Sequence, residues 1–284
     1  MNRIQRILCA VDFSPESHGA ASYAAHLSRN LKVPMDMLHS HHVPAMAAYG
    51  RAVAPDWDVL VPGPDDERHE LDLWVEEFRA QGTDVTPRLV EGPPNAASAR
   101  NTEPGDLLIL GTHQSSDLAR MFLGSTSERI MRCAHCPTLV VPPHWHRTMI
   151  TSILVAIDFS TASRHALTLA RDLARLVGAR VHALHVVNDA PVKPLEHFEV
   201  PEHRPAIVQA ATVDLAAFLD GCSDVTSHVR AGVPHEEIVE TARDLDVETI
   251  AVGLHGHNPI EAFLLGSTAK RVLRHAPCPV LVTR

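Results

Sequence analysis

At 284 residues the chain has room for two ordinary domains, each long enough to bury a core of its own. A net charge of −9 excludes the clustered Lys and Arg of a nucleic-acid or anionic-membrane surface, so neither partner is expected. No run approaches the roughly 20 apolar residues that span a bilayer, and Asp12 interrupts the first apolar run too early for a signal peptide; a cytoplasmic protein with reduced thiols is expected from its five cysteines.

The chain repeats itself. Ile7-Leu8-Cys9-Ala10-Val11-Asp12-Phe13-Ser14 returns as Ile153-Leu154-Val155-Ala156-Ile157-Asp158-Phe159-Ser160. Each copy opens on a continuous apolar run, the mark of a strand covered on both faces. Ser14 and Ser160 then stand where a helix N-cap is wanted, and helical spacing follows over 20–31 and 166–177, the second ending at Gly178 as a C-cap. Second strands are predicted at 35–39 and 180–187. Residues 43–66, rich in Pro, Gly and Asp, read as a long surface loop.

Helices fit 67–81 and 205–219, and third strands 85–90 and 225–230. A helix at 235–245 has a shorter counterpart at 95–101. Strands at 106–110 and 248–252 run into the glycine segments Gly111-Thr112-His113-Gln114 and Gly253-Leu254-His255-Gly256. Gly124-Ser125-Thr126 and Gly266-Ser267-Thr268 then precede helices at 126–133 and 268–275, and last strands fall at 137–141 and 279–283. Alternation of strand and helix calls for right-handed crossovers and a mostly parallel open sheet, with ligands beyond the carboxyl ends of the strands where the winding reverses. Residues 142–146 read as the linker.

A strand, a glycine loop and a helix N-terminus together form a cradle for phosphate, because glycine lets the backbone approach a ligand and the helix end presents unpaired N–H groups. The pattern of Gly253, Gly256, Gly266 and Ser267, with the Asp-Phe-Ser strand ends and the Cys-Pro that precedes each last strand, resembles the universal stress protein family in tandem form. That resemblance covers nearly the whole chain. It implies an α/β fold of two tandem Rossmann-like or flavodoxin-like domains (adenine nucleotide alpha hydrolase-like), 1–143 and 150–284.

The resemblance also implies a site for ATP or AMP, with magnesium as a possible companion. In the second half, Ala156, Ile157 and Asp158 would contact adenine and ribose, with Val186 and Val252 walling the base. Gly253, His255 and Gly256 would wrap ribose and phosphates, and Gly266, Ser267 and Thr268 would hold phosphate. The first half keeps Asp12, Gly111, Gly124, Ser125 and Thr126 as a weaker second site. It departs at Gln114, which replaces the middle glycine and is expected to be strained at positive φ, and at Ser40, which replaces the valine of the base pocket.

Other constellations have plainer explanations. His39, His41 and His42, with His113 nearby, allow a metal reading, yet His39 matches His185 and His113 matches His255, so no metal site is expected. Cys133 and Cys136 form a CxxC at a helix C-terminus, the wrong end to lower a thiol pKa, so packing is expected there. Neither a Gly-x-x-x-x-Gly-Lys loop, a Gly-x-Ser-x-Gly elbow nor a His-Glu-x-x-His helix occurs, and no catalytic residue is assigned.

The expected function is therefore an adenine-nucleotide-binding stress-response protein, a sensor or interaction module. The alternatives are a slow magnesium-dependent ATPase or nucleotidyl transferase, and a nucleotide-free scaffold. The last strands are expected to join the halves as a pseudo-dimer, and a homodimer of whole chains is compatible with this.

Overall fold

A computed structural model describes residues 4–43, 63–114, 121–122, 125–143, 145–188, 204–254 and 265–283. The chain divides into two compact units, one of residues 1–114 and 123–148, the other of 115–122 and 149–284.

In the first unit the elements run β1 (Arg6–Val11), α1 (Pro15–Leu31), β2 (Met35–His41), α2 (Pro64–Ala80), β3 (Val85–Glu91), α3 (Pro94–Asn101), β4 (Asp106–Gly111), α4 (Ser125–Cys133) and β5 (Thr138–Val141). The five strands are parallel in the order β5-β4-β1-β2-β3. Winding therefore reverses between β1 and β4, whose carboxyl ends lie side by side. Ile7, Leu8, Cys9 and Leu107 to Leu110 are almost wholly buried, and strands buried on both faces need cover on both. α1 packs on β1 and β4, α2 on β2 and β3, while α3 and α4 pack on each other. Burial pushes the Cys9 thiol up to about 12, as suits an inert core residue.

The second unit repeats the plan: β6 (Ser152–Ile157), α5 (Thr161–Val177), β7 (Arg180–Asn188), α6 (Arg204–Phe218), β8 (Val225–Gly232), α7 (Pro234–Asp244), β9 (Thr249–Gly253), α8 (Ser267–His275) and β10 (Val280–Thr283). Its sheet is parallel in the order β8-β7-β6-β9-β10. The α/β class and the mostly parallel open sheets match the expectation from the sequence. Helices begin earlier than their apolar spacing alone indicates. α1 starts at Pro15 and α5 at Thr161, because Ser14 and Ser160 accept from the N–H of Ser17 and Ser163.

The sheet bases of the two units are built differently. In the first, Arg6 reaches Asp36 at 2.7 Å and donates its Nε to Asp106 at 2.9 Å, with both acids buried and Arg88 also on Asp36. The acids hold the Arg6 guanidinium still more firmly in its charged form. In the second, Ser152 stands in place of Arg6, and Glu248 accepts from the N–H and hydroxyl groups of Thr151 and Ser152.

Candidate functional site

The turn after β1 is a fixed unit of side chains and backbone. Phe13 takes φ 61°, unusual for a residue with a Cβ and strained by about 1–3 kcal/mol. Its ring lies on the His39 imidazole, centroids 4.2 Å apart, with Trp74 of α2 edge-on behind it. His39 Nδ1 donates to Val11 O at 2.8 Å, since a carbonyl oxygen only accepts. The turn delivers Asp12 to the mouth of the sheet. Its Oδ1 accepts from the N–H of Ser14 at 3.1 Å and from its hydroxyl at 2.6 Å, while Ser14 Oγ accepts from Ser17 N–H.

The second unit repeats this almost atom for atom. Phe159 has φ 65° and sits 4.4 Å from His185, whose Nδ1 donates to Ile157 O at 2.8 Å. Asp158 Oδ1 accepts from Ser160 N–H at 3.0 Å and from its hydroxyl. Histidine in both copies is thus explained by orientation of the turn.

Gly111 and Gly253 end β4 and β9. A Cβ at Gly111 would lie 2.9 Å from Glu16 O, and one at Gly253 2.8 Å from Ala162 Cβ. These glycines let the first turn of α1 or α5 close onto the neighbouring strand end, a packing role that sits beside the ligand role inferred from resemblance.

In the first unit the ends of β1, β2 and β4 and the starts of α3 and α4 enclose a cavity of about 330 Å³. Asp12, Gly111 and Thr126 all line it, so three residues nominated from the sequence meet there. Ser125 opens α4; Gly124 lies outside the described residues. The first-turn N–H groups of an α-helix have no intrahelical acceptor, and this end of α4 carries partial positive charge. Sequence reasoning missed Glu16, Ser98 and Ser127, which also line the cavity. Ser98 is buried; a polar residue on the inward face of a short helix was the available signal. Ser40 also lines it, its hydroxyl donating to Gly92 O. Gln114 belongs to an extended two-residue strand with His113, so the expected positive-φ strain is not found there; among the described residues Phe13, Lys32, Phe159 and Asp246 are the left-handed ones with a Cβ, and of these Phe13 and Phe159 stand in the turns after β1 and β6.

In the second unit Ala156 and Ile157 lie in β6, Val186 in β7, and buried Val252 next to Gly253 at the end of β9. Leu254 N–H donates to Thr283 O, and Leu254 O accepts from Gly266 N–H at 2.9 Å. That bond engages the Gly266 amide and sets α8 beside β9. Gly266 is the N-cap, Ser267 is exposed, and Thr268 is half-buried in the first turn. His255 and Gly256 lie outside the described residues.

The remaining motifs are placed as follows. Glu67 Oε2 lies 3.4 Å from His39 Nε2 and 2.8 Å from His41 Nδ1, and among the described residues no three His, Cys, Asp or Glu are grouped to hold a metal ion. Cys133 ends α4, and Cys136 and Cys278 are both buried. Among the described residues no helix is long and apolar enough to cross a membrane.

The family model for the universal stress protein family matches the chain twice, over residues 3–142 and 149–284. A universal stress protein of Mycobacterium tuberculosis is 27% identical over 295 residues, covering 98% of this chain and 96% of the relative. A universal stress protein A homologue of Coxiella burnetii is 31% identical over 134 residues, 45% of this chain and 92% of that one. Among solved structures, a universal stress protein from Archaeoglobus fulgidus shares the fold with TM-score 0.69 and 20% identity, covering 98% of each chain.

Proposed function

The chain belongs to the universal stress protein family, matched in both of its halves, and from that premise we propose that it is an adenine-nucleotide-binding module. The ligand is ATP or AMP, bound at the carboxyl ends of the strands where the winding of each sheet reverses. The observation that carries this reading is the first-unit cavity, which gathers a carboxylate, Asp12, and a helix N-terminus at Thr126 and Ser127 around one hollow.

The parts fit the group. A volume of about 330 Å³ sits at the lower end of small-molecule sites, which run from roughly 300 to 1,000 Å³. Asp12 offers an acceptor to sugar hydroxyls, the aliphatic ends of β1 and β4 offer a flat apolar wall to a base, and the start of α4 favours an anion. In the second unit Asp158, Val186, Val252 and the start of α8 with Ser267 and Thr268 provide the same chemistry. Magnesium would come with the phosphates of ATP, held by one or two carboxylates and water rather than a protein cage.

Binding, rather than turnover, is the function. A nucleotide that binds only the folded state stabilises it by RT ln(1 + [L]/Kd), so its concentration is read out as conformation or lifetime in the cytoplasm. Protein purified without added nucleotide and then denatured should release ATP or AMP, and calorimetry should record their rebinding. If no adenine nucleotide is carried or bound, the protein is a scaffold. Turnover that requires Mg²⁺ and is lost in Asp158→Ala would make it an ATPase or nucleotidyl transferase instead. Light scattering of the whole chain tests the homodimer.

A further inference from the structure

The two copies place different pairs of side chains at one equivalent point of their sheets. In the first unit Asp36 of β2 stands in register with Leu8, and Arg88 of β3 in register with Leu38. Arg88 Nε donates to Asp36 at 2.9 Å, an ion pair of opposite charges. In the second unit the same registers hold His182, opposite Leu154, and His228, opposite Leu184. Their rings are 5.3 Å apart, with His182 Nδ1 and His228 Nε2 separated by 3.1 Å.

A hydrogen bond between two imidazoles needs one nitrogen with a proton and one without. Two imidazolium ions at this distance would present donor to donor and like charge to like charge, in a half-buried place with little water to screen them. We propose that His182 and His228 are a proton-sensing joint between β7 and β8, which holds the second unit together at neutral pH and loosens it on acidification. The first unit, with an aspartate and an arginine at the same point, lacks this joint.

The surroundings oppose rescue by a nearby acid. Arg180 stands at the start of β7 and Arg230 two residues beyond His228. From α7, Glu237 approaches Arg230 at 3.7 Å and Asp244 accepts from it at 2.6 Å. Glu248 is engaged by Thr151 and Ser152, and Asp214 of α6 is exposed to solvent. Burial first, then the partner imidazole and Arg180, holds His182 below the ordinary histidine range; burial and Arg230 do the same to His228. The unfolded chain therefore takes up protons that the folded unit refuses. The joint's contribution is complete above the unfolded histidine value of ~6.5 and is lost progressively as pH falls from there through the lowered values of the folded pair.

The experiment uses the full chain. Ring resonances of His182 and His228, assigned with His182→Gln and His228→Gln, should titrate as a coupled pair below free histidine, and each should shift upward when its partner is replaced. Independent titration at the free-histidine position overturns the proposal. In urea unfolding at pH 7.5 and 5.5, the folded-to-unfolded ratio of the second unit should fall severalfold more in the wild type than in the double variant His182→Asp/His228→Arg, which copies the first unit. An equal fall in both overturns it. Should the double variant not fold, the resonance titration of the wild type decides alone.

Discussion

A Cβ added to Gly253 would lie 2.8 Å from the Cβ of Ala162, and one added to the matching Gly111 would lie 2.9 Å from the carbonyl oxygen of Glu16. These contacts differ in kind, one with a side chain and one with backbone. Gly111→Ala should lower stability by about 1–3 kcal/mol through overpacking, with no simple suppressor. Gly253→Ala should be partly rescued by Ala162→Gly, although neighbouring backbone still crowds the site. A double-mutant cycle by urea denaturation measures the difference.

Ser160 accepts from Ser163 N–H and donates its hydroxyl to Asp158. Ser160→Ala should cost about 1 kcal/mol through loss of the cap. It should also weaken nucleotide binding to the second unit, because Asp158 loses the hydroxyl that aims it. Calorimetry on the folded variant separates the two effects; unchanged affinity would remove Asp158 from the site.

Arg6 lies between two buried carboxylates, Asp36 and Asp106. Arg6→Met should destabilise the first unit by about 3–5 kcal/mol, because it leaves buried charge uncompensated. Replacing all three groups by apolar residues should recover most of that loss, since a buried ion cluster is a weak source of net stability. Thermal unfolding of the single and triple variants tests both halves of the statement.

Saturating ATP or AMP should raise the unfolding midpoint, with about 2.7 kcal/mol of stabilisation at one hundred times Kd. Gly256→Gln should abolish binding at the second site. Ser98→Trp puts a bulky ring at a buried position of the first cavity. It should remove binding at the first site alone, read as a change in calorimetric stoichiometry.

Asp224 is paired with Arg171 and Arg175 at the surface. The hydrogen bond from Arg171 holds its carboxyl below the ordinary range, so the stabilisation is present above the unfolded aspartate pKa and is lost as pH falls through the lowered value. Solvent screens the pair, and Asp224→Asn should cost less than ~1 kcal/mol in urea melts at pH 7.

Much of this architecture was legible in the residues. The duplicated Asp-Phe-Ser strand ends set the two-domain plan, and glycine followed by hydroxyl residues marked the strand ends and helix starts that gather around the first cavity. What stayed hidden depends on neighbours far apart in the chain. Arg6 meets Asp36 and Asp106 across 30 and 100 residues, and His182 meets His228 only through the register of β7 and β8. Strain was expected at Gln114 by analogy with a glycine. Near the sites it lies at Phe13 and Phe159 instead, where stacking on histidine stabilises a backbone that local preference disfavours.

That stacking makes each phenylalanine the pivot pin of its turn. Asparagine accepts a left-handed backbone more readily, so Phe159→Asn would relax the peptide while freeing the imidazole beneath it to swing. Such a variant would gain local comfort and forfeit aim: the carboxylate next door would wander, and the entrance to the sheet would lose its fixed outline.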